Sequence, residues 1–231
     1  MRGRILAVIA AICTAAAPAM AASRTDPKNP SCPQSPDWGP MKAMQFTAVK
    51  REGRQILLGE GVVDDALVSR LKSAIETHQP EEIWLRSAGG NARVGNEAGK
   101  LIRQTGIPTR IPAGWACFSA CNFVFMGGMV RYVDSGGLFM VHMFTHTADR
   151  GAIEAEVLRG TENTVGLIGD IEQDSALLAS EDNDFLIRMG VSRKLLTEVM
   201  YQQKAVADSG GSTRRCLTQE EAWKYNVANV K

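Results

Sequence analysis

The sequence predicts a single α/β domain, and two observations lead to this fold class. Short apolar segments with the composition of buried strands alternate with segments whose apolar residues recur at helical spacing. No sequence repeat or internal linker indicates a second domain. The charge is nearly balanced, with 26 Lys and Arg against 25 Asp and Glu in 231 residues, so no basic field predicts a nucleic-acid partner.

Residues 1–21 have the pattern of an export signal. Arg2 and Arg4 precede an alanine-rich apolar run, and Ala19-Met20-Ala21 is a small-x-small cleavage site. The apolar run is too short for a membrane span, so we expect cleavage after Ala21 and no stable membrane span in the mature chain. The expected mature chain has 210 residues (231 less 21) and is periplasmic or secreted.

The segment after the signal differs in composition from the rest of the chain. Residues 22–40 are rich in Pro, Ser, Asp and Asn with little to bury, which predicts a flexible N-terminal arm. We expect the domain itself to span residues 41–231. It opens on a predicted β-hairpin, because residues 44–50 alternate, a Gly-containing turn follows, and residues 55–58 return.

The remaining elements follow from periodicity and capping. Helical spacing predicts a helix over residues 64–77 and another over 96–104, and buried strands are predicted at 83–85 and 107–111. Further along the chain, helices are predicted at 152–189, with interruptions at Gly160, Gly166 and Gly169, at 192–201, and after the capping-box pair Thr218 and Glu221.

Three features of the central segment can carry chemistry. Gly89-Gly90 follows the strand at 83–85, and glycine lets a ligand approach backbone N–H groups. Ser119 stands at a turn into a small apolar helix, where N–H groups and the helix dipole favour negative charge, as a serine nucleophile requires. The alternative for Ser119 is a simple N-cap role. His142 closes a second apolar run.

The order of these motifs resembles the Clp protease subunit family of the crotonase-like superfamily. The matching residues are Ser87-Ala88-Gly89-Gly90, Gly95, Trp115 to Ser119, Arg131 and Met140-Val141-His142. Ala88, Trp115 and the cysteines beside Ser119 differ from the cytosolic pattern and resemble a secreted, periplasmic branch. The resemblance implies one domain of repeated strand-strand-helix units, with Ser119 as nucleophile and His142 as base. It also implies an oxyanion hole formed by the backbone N–H groups of Gly90 and Ala120.

The third member of a triad stays open. In the resembled family an aspartate precedes a closing Leu-Ser/Thr-x-x-Glu-Ala segment, whereas here Thr213-Arg214-Arg215 precedes that segment at residues 217–222. A Ser-His pair alone, or one oriented by a backbone carbonyl, is an alternative to a triad. The other acidic candidates are Asp182, Asp184 and Asp208, and His146 is an alternative base.

The resemblance implies an exported serine peptidase that acts on peptides or proteins, requires no metal or organic cofactor, and self-associates through the helical region 152–189. The alternative is a non-catalytic exported scaffold that keeps the fold and binds a partner. Acyl-thioester chemistry is a third reading, which follows from the superfamily alone and which export disfavours.

Four cysteines remain after signal cleavage, and export makes disulfides an expectation. Cys117 and Cys121 are four residues apart at the serine turn, where a bend brings them within reach of a disulfide, which leaves Cys32 and Cys216 as the second pair. The alternatives at Cys117 and Cys121 are buried free thiols or a zinc site, for which no neighbouring His or second Cys pair is evident.

Overall fold

Within the described residues, which are 25–26, 29–147, 150–206 and 213–230, the computed structural model has alternating strands and helices. The strands are β1 (Thr25–Asp26), β2 (Asn29–Pro33), β3 (Gln45–Arg51), β4 (Arg54–Glu60), β5 (Glu82–Arg86), β6 (Thr109–Ile111), β7 (Ala116–Phe118), β8 (Arg131–Val133), β9 (Leu138–His142) and β10 (Arg214–Cys216). The helices are α1 (Leu67–His78), α2 (Ala92–Thr105), α3 (Ala120–Met126), α4 (Arg150–Leu158), α5 (Thr161–Arg188) and α6 (Gln219–Lys224). The predicted signal peptide, residues 1–21, lies outside the described residues.

The main sheet has five strands in the order β3-β4-β5-β6-β8. β3 and β4 form the predicted antiparallel hairpin, and β4, β5, β6 and β8 run parallel. Parallel neighbours need crossover connections, which α1 and α2 supply. Ile83 and Leu85 of β5 are fully buried, as expected for a central strand covered by helices.

A second sheet of three strands, in the order β10-β9-β7, stands beside the first. β7 is parallel to β9, so the strand that leads into Ser119 lies along the strand that ends at His142. β10 is antiparallel to β9, and its Arg214 is directly opposite His142. This sheet therefore gathers the residues of the predicted site, although they are far apart in the chain.

Two glycines let α2 and α3 approach closely. A Cβ added at Gly95 would lie 2.5 Å from the carbonyl oxygen of Ala120, and one at Gly99 would lie 2.3 Å from that of Phe123. Neither distance is sterically allowed, so only glycine permits this packing. The Asn122 side chain, which is 2% exposed, also donates a 2.6 Å hydrogen bond to the Met140 carbonyl and so fastens α3 to β9.

Most predicted elements are confirmed, and two predictions need correction. Gly166 and Gly169 do not interrupt the helical region, because α5 runs unbroken past both, and only Gly160 at φ 114° separates α4 from α5. Residues 192–201 do not form a regular α-helix but a π-helix, Leu195–Val199, and a 3-10 turn, Met200–Gln202. β8 and β10 were not predicted, because three residues carry too little periodicity, whereas β7 leads into the turn predicted at Ser119.

Residues 31–38 of the predicted arm pack on the second sheet. Cys32 is 2% exposed and lies 5.2 Å, Cα to Cα, from Cys216, with which the structure pairs it. The Asp37 carboxylate accepts a 2.6 Å hydrogen bond from Arg86, and the Asp37 carbonyl accepts another from the N–H of Ala116. This part of the arm therefore contacts the domain body, and flexibility in the rest of residues 22–40 stays a prediction.

The described helices differ in length and polarity. Not one of those in the described ranges is both long enough and apolar enough to cross a membrane.

Candidate active site

Ser119 occupies the turn between β7 and α3 in an unusual backbone conformation. Its φ is 56° and its ψ is −123°, a region that costs a non-glycine residue about 1–3 kcal/mol and that clusters at functional sites. The residue is at the N-cap position, but its side chain makes no capping hydrogen bond to α3. Ser119 therefore does not cap α3 through its side chain, although it occupies the N-cap position.

The Ser119 hydroxyl instead contacts His142. The Oγ of Ser119 lies 2.7 Å from the Nε2 of His142, a hydrogen-bond distance. Burial lowers the pKa of His142 below its ordinary value of 6.5, the positive charge of Arg214 lowers it further, and a hydrogen bond to the Met143 backbone opposes the shift. The imidazole is therefore neutral at pH 7, and its Nε2 can accept the serine proton.

The Gly89-Gly90 loop lies against the serine turn. A Cβ added at Gly89 would be 2.6 Å from the Cβ of Ser119 and 3.1 Å from the nitrogen of Ala120, so only a bare backbone fits there. Both glycines have positive φ, and hydrogen bonds of Val63 with Gly89 and Asn91 hold the loop in place.

Two backbone N–H groups, one in the glycine loop and one at the start of α3, have no hydrogen-bond acceptor among the described residues. These are the N–H groups of Gly90 and Ala120. Ala120 is the first residue of α3, and the first N–H groups of a helix have no acceptor inside the helix. Backbone N–H groups without a protein acceptor can stabilise an oxyanion when they converge on the carbonyl oxygen of a substrate.

No carboxylate of the described residues hydrogen-bonds to His142. Asp182 is 4% exposed on α5, where burial, with a smaller contribution from Glu181, raises its pKa to about 7. Asp184 pairs with Arg188 on the surface of the same helix, and Asp208 lies outside the described residues. On the neighbouring strand β10, Arg214 is directly opposite His142. From the sequence, Arg214 was noted only because it stands in the segment where the resembled family has an aspartate.

His146 is not brought to Ser119. Its Nε2 lies 3.2 Å from Asp174 on α5, which also accepts a 2.6 Å hydrogen bond from Arg93. His146 lines a cavity of about 890 Å³ between α4 and α5 whose lining includes neither Ser119 nor His142. The structure therefore favours His142 over His146 as the neighbour of Ser119.

The structure pairs the cysteines on either side of Ser119. Cys117 and Cys121 are fully buried and joined as a disulfide across the turn, with their Cα atoms 5.4 Å apart. Paired sulfurs cannot also hold zinc, and among the described residues no three His, Cys, Asp or Glu side chains cluster as metal ligands.

Two aromatic residues near the site were missed by the sequence analysis. The Phe118 ring lies 4.8 Å from the His142 ring, and the Trp38 ring lies 6.1 Å from that of Phe118. The one feature of the sequence that could have indicated Phe118 was its position immediately before Ser119. The contact of Trp38 is long-range and leaves no trace in local periodicity.

Comparisons with known proteins bear on the fold. No family model matches the chain. A curated protein, the ureidoacrylate amidohydrolase RutB of Methylorubrum extorquens, is 26% identical over 150 residues, or 65% of this chain. The chain spans only 57% of that relative's length.

Solved structures of similar fold include two forms of ClpP1 from Listeria monocytogenes. A point mutant shares 13% identity over 75% of this chain and 88% of its own, with a TM-score of 0.51, and the unmutated protein shares 14% over the same fractions, with a TM-score of 0.48. A mutant of the 1510-N membrane-bound stomatin-specific protease shares 15% identity over 76% of each chain, with a TM-score of 0.45. The mixed sheets and the first of these similarities confirm the predicted fold class: the chain has a Clp-protease-like α/β fold.

Proposed function

We propose that this protein is an exported serine peptidase-like hydrolase in which Ser119 is the nucleophile and His142 its general base. The observation that supports this most directly is the 2.7 Å contact between Ser119 Oγ and His142 Nε2. The positive φ of Ser119 supports it further, because a simple turn residue has no need of a strained backbone.

The proposed reaction has two acyl-transfer steps. The Nε2 of His142 takes the hydroxyl proton as Ser119 Oγ bonds to the substrate carbonyl carbon, and the N–H groups of Gly90 and Ala120 receive the negative charge on the carbonyl oxygen. The imidazolium then gives its proton to the leaving amine as the peptide C–N bond breaks. Water, deprotonated by His142, releases the acyl group from Ser119 by the reverse path.

The backbone of Met143 is the proposed third partner. Nε2 of His142 faces Ser119, so we propose that the other ring nitrogen, Nδ1, donates to the Met143 backbone carbonyl and thereby sets the required tautomer. A carbonyl is neutral and stabilises an imidazolium less than a carboxylate does. Loss of a triad aspartate costs about 10⁴ in kcat, so we expect slow turnover.

Peptide hydrolysis with matched variants tests this proposal. Purified protein is incubated with a fluorogenic peptide library, and Ser119→Ala and His142→Gln are compared with Ser69→Ala, an exposed serine on α1. We expect hydrolysis by the wild type and Ser69→Ala and none by the two site variants. Equal hydrolysis by wild type and Ser119→Ala would contradict the proposal.

Export and self-association belong to the same proposal. Two cysteine pairs at disulfide distance support an oxidising compartment, either the periplasm or the outside of the cell. Self-association is proposed through exposed apolar residues of α4 and α5, which light scattering tests at several concentrations. These residues are Val157, Leu158, Val165, Ile168 and Leu177.

A non-catalytic scaffold is the second candidate, and Arg214 favours it. This residue faces His142 at the strand where the resembled family has an aspartate, and its positive charge opposes formation of an imidazolium. A scaffold predicts no hydrolysis and no covalent labelling of Ser119. The amidohydrolase named above matches at 26% identity and does not decide the substrate.

A further inference from the structure

The His142 imidazole packs against an aromatic ring, whereas no carboxylate of the described residues hydrogen-bonds to it. The rings of Phe118 and His142 are 4.8 Å apart between centroids and inclined by 44°. Phe118 is the last residue of β7, which pairs with β9 in parallel register. The residue that leads into the turn of the proposed nucleophile therefore also packs against the proposed base.

Phe118 is itself backed by Trp38. Their ring centroids are 6.1 Å apart at an interplanar angle of 29°, and the Arg214 guanidinium lies 5.6 Å from the Trp38 ring. The Phe118 ring, which lies between the rings of Trp38 and His142, therefore has little room to move. The Arg214 guanidinium is attracted to the Trp38 ring and helps to hold it in place.

The segment that carries Trp38 is fastened on both sides. Cys32 is paired with Cys216 of β10, and the N–H of Cys216 donates a 3.2 Å hydrogen bond to the hydroxyl of Ser31. On the other side, the Asp37 carbonyl accepts a 2.7 Å hydrogen bond from the N–H of Ala116 in β7. Trp38 is thus placed over Phe118 by contacts with both outer strands of the second sheet.

We propose that Phe118, backed by Trp38, is a positioning residue that holds the His142 imidazole toward Ser119 and so supplies the orientation that a carboxylate gives in a Ser-His-Asp triad. The inference rests on the proposed function. The physical reason is that a single hydrogen bond to backbone fixes one ring nitrogen and leaves the ring free to tilt, whereas a packed aromatic face restricts the imidazole to one rotamer.

The rate of covalent labelling by a fluorophosphonate, measured at saturation and at pH 8, tests this inference. At that pH His142 is fully neutral, so a change in rate reports orientation rather than titration. Phe118→Leu is expected to slow the maximal rate roughly tenfold without changing the half-saturating concentration, and Trp38→Leu to slow it about threefold. Phe118→Tyr, which keeps the ring, restores the rate.

Trp84→Leu is the matched control, because it removes a ring from the separate Trp84–Trp115 pair, whose centroids are 6.5 Å apart. It should label at the wild-type rate. If Phe118→Leu does not fold, the labelling rate of Trp38→Leu tests the inference instead, because the Trp38 side chain is only half-buried. A wild type that labels at Ser119 while both leucine variants label equally fast overturns this inference alone, whereas a wild type that never labels overturns the proposed function and the inference with it.

Discussion

His142 is the group whose titration should be visible in any activity of this protein. Its imidazole is half-buried between Ser119 and Phe118, and the cost of burying its charged form lowers its pKa. As the proposed base, His142 must be neutral to accept the Ser119 proton. We therefore expect the labelling rate to rise with pH through a midpoint below 6.5 and to be level from pH 7 upward.

A pH series of labelling rates from 4.5 to 9 measures this midpoint. His142→Gln should give a slow rate without that step, which assigns the step to the imidazole. A midpoint well above pH 7 in the wild type would show that His142 is stabilised as a cation, contrary to its buried position.

Asp182 supplies a second prediction at the residue scale. Burial raises its pKa from 3.8 to about 7, so the folded protein binds a proton that the unfolded chain has already lost between these values. The stability from this group is fully present below pH 3.8 and is lost as pH rises toward 7. Asp182→Asn should therefore gain stability relative to the wild type as pH rises, with the difference level above pH 8.

Urea unfolding of both proteins at pH 5, 6, 7 and 8 measures the difference in the free energy of unfolding. Asp184→Asn makes the same substitution at an exposed position of the same helix and serves as the matched variant. A difference that does not change with pH would mean that Asp182 titrates normally in the folded state.

At the scale of elements, the contact of α2 with α3 sets the distance between the glycine loop and the serine turn. A Cβ at Gly95 would lie 2.5 Å from the Ala120 carbonyl oxygen, so Gly95→Ala must push the helices apart. We expect a loss of about 1–3 kcal/mol of stability from this overpacking and a slower labelling of Ser119.

Gly166→Ala is the matched control, because no atom lies within 4 Å of the added Cβ and the position is inside α5. It should gain about 0.5–1 kcal/mol by removing a mid-helix glycine. Thermal unfolding and labelling rates distinguish the two substitutions. Equal effects at Gly95 and Gly166 would contradict the close contact of α2 and α3.

The same elements show what could be predicted from the sequence. Local pattern was sufficient for α1, α2 and β5. Leu67 and Leu71 in α1, and Ala98 and Ile102 in α2, are buried residues at helical spacing, and β5 contains the short apolar run at 83–85. Periodicity failed at Gly166 and Gly169, where a helix of 28 residues absorbs the roughly 1 kcal/mol cost of each glycine.

At the site, the order of motifs indicated Ser119, His142 and the glycine loop together. It did not indicate Phe118, Trp38 or Arg214, because their contacts with the site depend on the pairing of β10, β9 and the arm. Such contacts join residues that are far apart in the chain, such as His142 with Arg214 and Trp38 with Phe118, and no local pattern encodes them.

At the scale of the whole molecule, the Cys32–Cys216 pair joins the arm to β10 across a sequence separation of 184. Closing so long a loop restricts the unfolded chain, so Cys32→Ser is expected to cost about 2–5 kcal/mol of stability in oxidised protein. Urea unfolding with and without reductant measures the loss.

The reductant should lower the stability of the wild type more than that of Cys32→Ser, which retains only the Cys117–Cys121 pair. Non-reducing peptide mapping identifies the linked peptides. A cross-link from Cys32 to Cys117 or Cys121 would contradict the pairing, and four alkylatable thiols in oxidised protein would contradict both disulfides.

The central claim is that Ser119 is an activated nucleophile, and the location of a fluorophosphonate adduct tests it most directly. Labelled protein is digested and the modified residue identified by peptide mass spectrometry, with His142→Gln and Ser119→Ala treated in parallel. We expect a single adduct on Ser119 in the wild type, a much slower one in His142→Gln, and none in Ser119→Ala. Labelling of the Ser119→Ala variant at the wild-type rate, or an adduct on another residue of the wild type, would contradict this claim.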